Sequence, residues 1–232
     1  MITFIIPFAH PTVFKDYAVA AQNLELTLQT LSSQSSSKFN VVVVCNEIPS
    51  HKKFRNIHYH LVDFLPVNIN NKYISKENKA ADRVRLDKGT RLLSGYMYAS
   101  SRFDSDYIFF ADADDWFHKD LVLEMLSSTK EDIKYVNKSF LVNRKHLKFK
   151  VVYGMSRYCG STVAYKTDAI NRIMGNLTAI DMHSSNEKIW ESVDVHLLKK
   201  LFGSHTYWLE FAEKYYLNYG EIDLMALCYV VA

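Results

Sequence analysis

A chain of 232 residues, 48% of them hydrophobic, can close a substantial core as one domain, and that composition excludes a disordered polymer. Its 28 Lys and Arg against 25 Asp and Glu leave a formal charge of +3 with no long run of one sign, which argues against a dedicated nucleic-acid binder. Cys45, Cys159 and Cys228 form no CxxC or CxxH pair, so neither a zinc site nor a disulfide framework is expected and a reducing, cytoplasmic compartment fits.

Ile2 to Ile6 is a short apolar run stopped by Pro7, which predicts a buried strand opening into the loop Phe8 to Thr12; the run is too short for a signal sequence or membrane span. Ala20, Leu24, Leu28 and Leu31 recur at helical spacing, and the helix should end in the polar stretch Ser32 to Ser37. Val41 to Val44 predicts a central strand buried on both faces, and Ile57 to Val62 a third strand. Pro66 to Ala81, rich in Asn and Lys, is expected to be a functional loop. Asp87 to Ser100 follows as a helix with Leu92, Leu93, Tyr96 and Ala99 inward, then Tyr107 to Phe110 as another buried strand. This βαβ-like order implies an α/β fold with a mostly parallel sheet flanked by helices. The second half is less regular: Leu121 to Leu126 should be helical and Ile133 to Val136 a strand. Leu147, Phe149 and Val151 alternate with Lys148, Lys150 and Val152, as in a strand with one wetter face. Ile170 to Met174 and Ile189 to Leu201 each predict a helix, and the apolar run Leu224 to Ala232 a buried last element or an interfacial contact. With no internal repeat or low-complexity linker, residues 1–232 are treated as one domain, with a 1–120 half and a 121–232 half.

The segment Tyr107 to Trp116 delivers Asp112, Asp114 and Asp115 at the C-terminal end of a buried strand, the sheet edge where open α/β folds bind ligands. Carboxylates so close repel one another, and a divalent ion such as Mn²⁺ or Mg²⁺ carrying a nucleotide diphosphate would relieve that repulsion. One Asp could instead cap the following helix, but capping leaves the other two charges unexplained. Trp116 occupies a position where an EF-hand needs an oxygen ligand, which excludes that motif. Lys88 and Arg91, three apart on the preceding helix, can project from one face and neutralise phosphate charge; a solvated helix face is the plainer alternative. Gly89-Thr90-Arg91-Leu92 copies a string of nucleotidyltransferases but falls inside a helix without preceding glycines, so it is not expected to be a phosphate loop.

Asp112-Ala113-Asp114-Asp115 resembles the DxDD motif of GT-A glycosyltransferases, particularly family 2. Phe4-Ile5-Ile6-Pro7-Phe8 is similar to that family's first strand, and the helix of Leu24, Leu28 and Leu31, with Gln34 and Val41 to Glu47, to its next helix and strand. The resemblance covers Ile2 to Asp120 and implies a nucleotide-sugar donor, UDP-linked by preference, and inverting transfer to a glycan or lipid-linked acceptor in cell-surface polysaccharide or lipopolysaccharide synthesis. It assigns Pro7, Phe8, Ala9, Asn46, Glu47, Lys88, Arg91 and Asp112 to the donor. Asp112, Asp114 and Asp115 are assigned to the metal, His205 to the metal or the acceptor, Asp194 ahead of Glu191 to the general base, and Trp116, Cys159, Gly160 and Ser161 to the acceptor. Asp194 and Glu191 also suit a helix N-terminus, and a lone His such as His205 is more often structural. Departures from the motif at Ser192, and at Asn218 and Ile222, leave open a nucleotide- or carbohydrate-binding protein without turnover, and a sugar nucleotidyltransferase is the enzymatic alternative. The basic stretch Lys138 to Lys150, interleaved with Phe140, Leu147 and Phe149, suits peripheral contact with an anionic inner membrane surface or a solvated strand face.

Overall fold

A computed structural model describes every residue except 51–52, 144–145, 147, 176 and 232, and the side chain of Val231. The β-branched run Phe39–Cys45 (β2) pairs in parallel with Ile2–Pro7 (β1) on one side and Ile57–Leu61 (β3) on the other. Alternation then divides their side chains between two cores: Ile5, Val42 and Val44 join one, while Ile2, Phe4, Ile6, Val41 and Val43 join the other. The second core is closed by Tyr17–Ser32 (α1), whose N-cap Asp16 accepts Val19 N–H at 3.1 Å and whose stripe Leu24, Leu28 and Leu31 is fully buried. Burial of each such leucine contributes about 2 kcal/mol, more than the cap does.

The first core is closed by Lys79–Ser100 (α2), which starts eight residues before the expected Asp87 because Asn78 caps it, accepting Ala81 N–H at 3.3 Å. Leu92, Leu93, Tyr96 and Ala99 face inward as expected. Gly95 lets α2 lie close on the sheet, since a Cβ there would stand 2.7 Å from Val44 Cγ2.

Tyr107–Phe110 (β4) completes the parallel set beside β1. Beyond it lie Trp116–Phe117 (β5), Leu121–Ser127 (α3), Ile133–Val136 (β6), Lys138–Asn143 (β7), Lys148–Tyr153 (β8) and Val163–Lys166 (β9). Thr167–Met174 (α4), Asn186–Ser192 (α5), Val195–Leu201 (α6), Trp208–Lys214 (α7), Tyr219–Ile222 (β10) and Leu227–Val231 (β11) follow. The main sheet has the order β10-β6-β9-β4-β1-β2-β3, with β9 antiparallel to both its neighbours and every other pair parallel. A second sheet, β5-β11-β7-β8, places the apolar C-terminal run between β5 and β7.

Two expectations are corrected. Ile189 to Leu201 is not one helix: Val193 is extended, and Asp194 restarts the chain by accepting His196 N–H at 2.8 Å and Leu197 N–H at 3.2 Å. β8 does not have one dry face, because it is the edge strand of its sheet, with Lys148, Phe149, Lys150, Val151 and Tyr153 all exposed; Leu147 lies outside the described residues.

Candidate nucleotide site at the ends of β1, β2 and β4

Parallel pairing brings the ends of β1, β2 and β4 to one edge, so the turns carrying Pro7 to Ala9, Asn46 and Glu47, and Asp112 to Asp115 lie side by side. Two cavities meet there at Pro7, Ala9 and Asp112. The first, about 190 Å³, has apolar walls from Val13, Pro66, Val67 and Val84 and receives Arg83, Asp87, Lys88 and Arg91 from α2. The second, about 560 Å³, lies on the α1 side against Phe8, Phe14, Asp16, Asn23 and Asp114. Phe8 is 2% exposed and packs on Phe14 with ring centroids 5.1 Å apart, so it is a core residue as well as a wall.

Lys88 and Arg91 both reach the first cavity but are not two equivalent surface cations. Lys88 Nζ forms an ion pair with Asp112 Oδ1, the two side chains being 21% and 28% exposed. Burial disfavours the ammonium, but the Asp112 charge and hydrogen bond outweigh it and raise the Lys88 pKa. Arg91 is fully buried; its Nε donates to Asp87 Oδ2 at 3.0 Å, while Nη1 and Nη2 have no hydrogen-bond partner. The Phe64 ring, 5.9 Å from the Arg91 Cζ, supplies some cation–π stabilisation. Unpartnered guanidinium nitrogens out of water cost on the order of a few kcal/mol. Asn46 shows a matching deficit: its Nδ2 donates to Phe64 O at 2.9 Å, whereas Oδ1 is buried without a partner. Asp87 and Phe64 are site residues missed in sequence, although the i, i+4 spacing of Asp87 and Arg91 was a usable signal.

The acidic cluster is split by its surroundings. Asp115 is fully buried, turned away from both cavities; its Oδ2 accepts Ser161 Oγ–H at 2.6 Å and Cys159 Sγ–H at 3.1 Å, and its Oδ1 accepts Val230 N–H at 3.3 Å. Burial, then the nearby Asp112 charge, pushes its pKa up to about 7. Ser161 Oγ also accepts Asp112 N–H at 2.7 Å, so Asp115 helps hold the turn that carries Asp112. Asp114 is exposed on the rim of the second cavity. His205 is half-buried in a small crevice with Lys88 and Gly160, its pKa lowered by burial and then by the Lys88 charge.

Asp112, Asp114, Asp115 and His205 therefore do not converge as the expected metal set. Among the described residues no three His, Cys, Asp or Glu side chains are grouped to hold a metal ion. Asp112 is committed to Lys88 and Asp115 to the Ser161 turn, so the donor set does not fit Mn²⁺ or Mg²⁺. None of the residues expected at the acceptor lines either cavity. Cys159 and Ser161 are buried, Trp116 is half-buried in β5, and Gly160 is packed against the ion pair. Neither expected base lines the two cavities: Asp194 is the N-cap of α6, and Glu191 lines a separate cavity of about 350 Å³ with Asn71, Lys72 and Tyr73.

No family model matches the sequence, and no curated protein matches it. Among solved structures, residues 1–349 of S. aureus TarS in complex with UDP are similar over 100% of this chain and 60% of that one, at 13% identity and a TM-score of 0.52. The same protein in complex with UDP-GlcNAc is similar over 100% of this chain and 58% of that one, at 11% identity and a TM-score of 0.50. The fold is GT-A. Within that GT-A fold, the cavities lie where β1 and β4 end, and this chain spans about three-fifths of the length of the TarS chains just described. Among the described residues, no helix is long and apolar enough to cross a membrane.

Proposed function

We propose that this chain is a glycosyltransferase that takes its sugar from a nucleotide sugar, with UDP as the carrier. The observation that carries the proposal is Arg91: a guanidinium removed from water, with two unpartnered nitrogens, beside a cavity that also receives Lys88 and Asp112. A uracil fits that polarity, because its carbonyls accept from a donor-only guanidinium. The apolar walls from Pro7, Pro66, Val67 and Val84 suit the flat faces of a base. Lys88 and Arg83 stand on the same wall to meet the diphosphate. TarS, crystallised with UDP and with UDP-GlcNAc, supports this reading through its shared fold.

Transfer requires a base for the acceptor hydroxyl, and of the two expected acids we assign Glu191. Asp194 already has its Oδ1 engaged by two amides, whereas Glu191 is exposed on a cavity wall opposite Asn71 and Tyr73. The acceptor is proposed to be a glycan or lipid-linked sugar, since β7 and β8 present Phe149, Val151 and Tyr153 to a surface with Lys148 and Lys150 alongside. The test is calorimetric titration with UDP, followed by product analysis with UDP-sugars. Arg91→Met should weaken UDP binding at least tenfold, about 1.4 kcal/mol. Release of pyrophosphate from a nucleoside triphosphate and sugar phosphate would show nucleotidyl transfer instead, and unaltered UDP affinity in Arg91→Met would refute the assignment of Arg91.

A further inference from the structure

We propose that Lys88 supplies the counter-charge for the donor diphosphate, so that the chain binds its nucleotide without a divalent ion. This deepens the reading of the Arg91 cavity as a nucleotide site and rests on it. The Lys88 ammonium is seated on Asp112 Oδ1 at the lip of that cavity, and both side chains remain partly exposed. An ammonium has three donors; Asp112 engages one and fixes the direction of the others, which can meet phosphate oxygens.

The surrounding structure is built around this pair. Gly160 packs directly against it, and a Cβ at that position would overlap Asp112 Oδ2 and stand 2.7 Å from Lys88 Nζ. Asp112 N–H is anchored to Ser161 Oγ at 2.7 Å, which in turn is anchored to buried Asp115 at 2.6 Å. A divalent ion at the same place needs several oxygen ligands, and Asp112 and Asp115 are already engaged. To coordinate Asp112 it would have to displace Lys88 and leave a like charge beside itself. The cavity wall meanwhile carries Arg83, Lys88 and Arg91 against Asp87 and Asp112, so it has an excess positive charge before any ion is added.

The experiment is calorimetric titration of the full chain with UDP, once with EDTA and once with Mn²⁺. The expected result is an affinity that agrees within threefold between the two conditions. Lys88→Met should weaken binding in EDTA at least tenfold, with recovery on adding Mn²⁺ because Asp112 is then unpaired; Lys88→Arg should retain metal-free binding. UDP binding that appears only with Mn²⁺ overturns this proposal and leaves the nucleotide site standing. Absence of UDP binding under both conditions refutes the nucleotide site itself, and this proposal with it. The wild-type comparison decides the matter even if Lys88→Met does not fold.

Discussion

Gly160 is the residue at which sequence and site are most tightly joined, because the contacting atoms of Asp112 and Lys88 are the far ends of side chains. They can yield without disturbing the backbone, so Gly160→Ala should leave the thermal midpoint within a few degrees while lowering UDP affinity about tenfold, near 1.4 kcal/mol. Parallel melting and calorimetry check this; unchanged affinity would show that the ion pair tolerates the methyl. His60 makes a different residue-scale prediction. It is 4% exposed, contacts Ser94 Oγ through Nε2 at 2.8 Å and stacks on Tyr98. Burial, then the His183 charge, lowers its pKa from 6.5 to about 4. Since the folded value is depressed, the stabilisation is complete above about pH 6.5 and is lost as pH falls through about 4. Urea unfolding across that window should show a decline on the order of 3 kcal/mol, largely absent in the double variant His60→Phe, Ser94→Ala. The reach of single residues also explains what was hidden in sequence. Lys88 and Asp112 are separated by 24 positions, so no local window contains their pairing. Asp115 stands beside Asp114 in the chain but differs from it because of Ser161, Cys159 and Val230, all supplied by later elements.

Among the elements, β1, β2, β4 and the inward stripe of α2 were legible because continuous apolar runs and helical spacing are local signals. The break between α5 and α6 was less so, since Ile189 to Leu201 keeps apolar residues on a helical period across Asp194. The cap sits where charge alone suggested chemistry. Asp194→Ala should therefore cost about 1 kcal/mol of stability, and Asp194→Ser should restore most of it, because serine also caps. Neither should change the transfer rate by more than a few-fold, whereas Glu191→Gln should lower it at least a hundredfold with UDP affinity unchanged. Denaturation curves and initial rates on the three variants distinguish the roles; a large rate loss in Asp194→Ser would return the base to Asp194. The loop before α2 is likewise better defined than its composition suggested, because Lys199 Nζ donates to Tyr73 O at 3.0 Å and to Asp82 Oδ2 at 2.8 Å, and Asp82 also accepts Ser75 N–H.

At the scale of the whole molecule, the β7 and β8 pair presents a group of exposed apolar side chains among the described residues. Its register places Phe140 beside Val151 and Val142 beside Phe149, so these apolar side chains share one face with Tyr153, whose partner is Lys138; Phe149 is 73% and Tyr153 66% exposed. Such a face, with Lys148 and Lys150 on the same edge strand, should bind vesicles containing phosphatidylglycerol more strongly than phosphatidylcholine vesicles. Co-sedimentation at low and high salt tests this. Phe149→Ser should reduce the bound fraction at least threefold, and equal binding to both lipids would remove the electrostatic component. One consequence follows from the reversed direction of β9. The turn before it arrives at the lip where β4 ends, bringing Gly160 against the Lys88–Asp112 pair and Ser161 against the Asp112 amide. Because that return abuts the cavity lip, an insertion between Gly154 and Thr162 would shift Gly160 off the ion pair, so the segment tolerates little change in length.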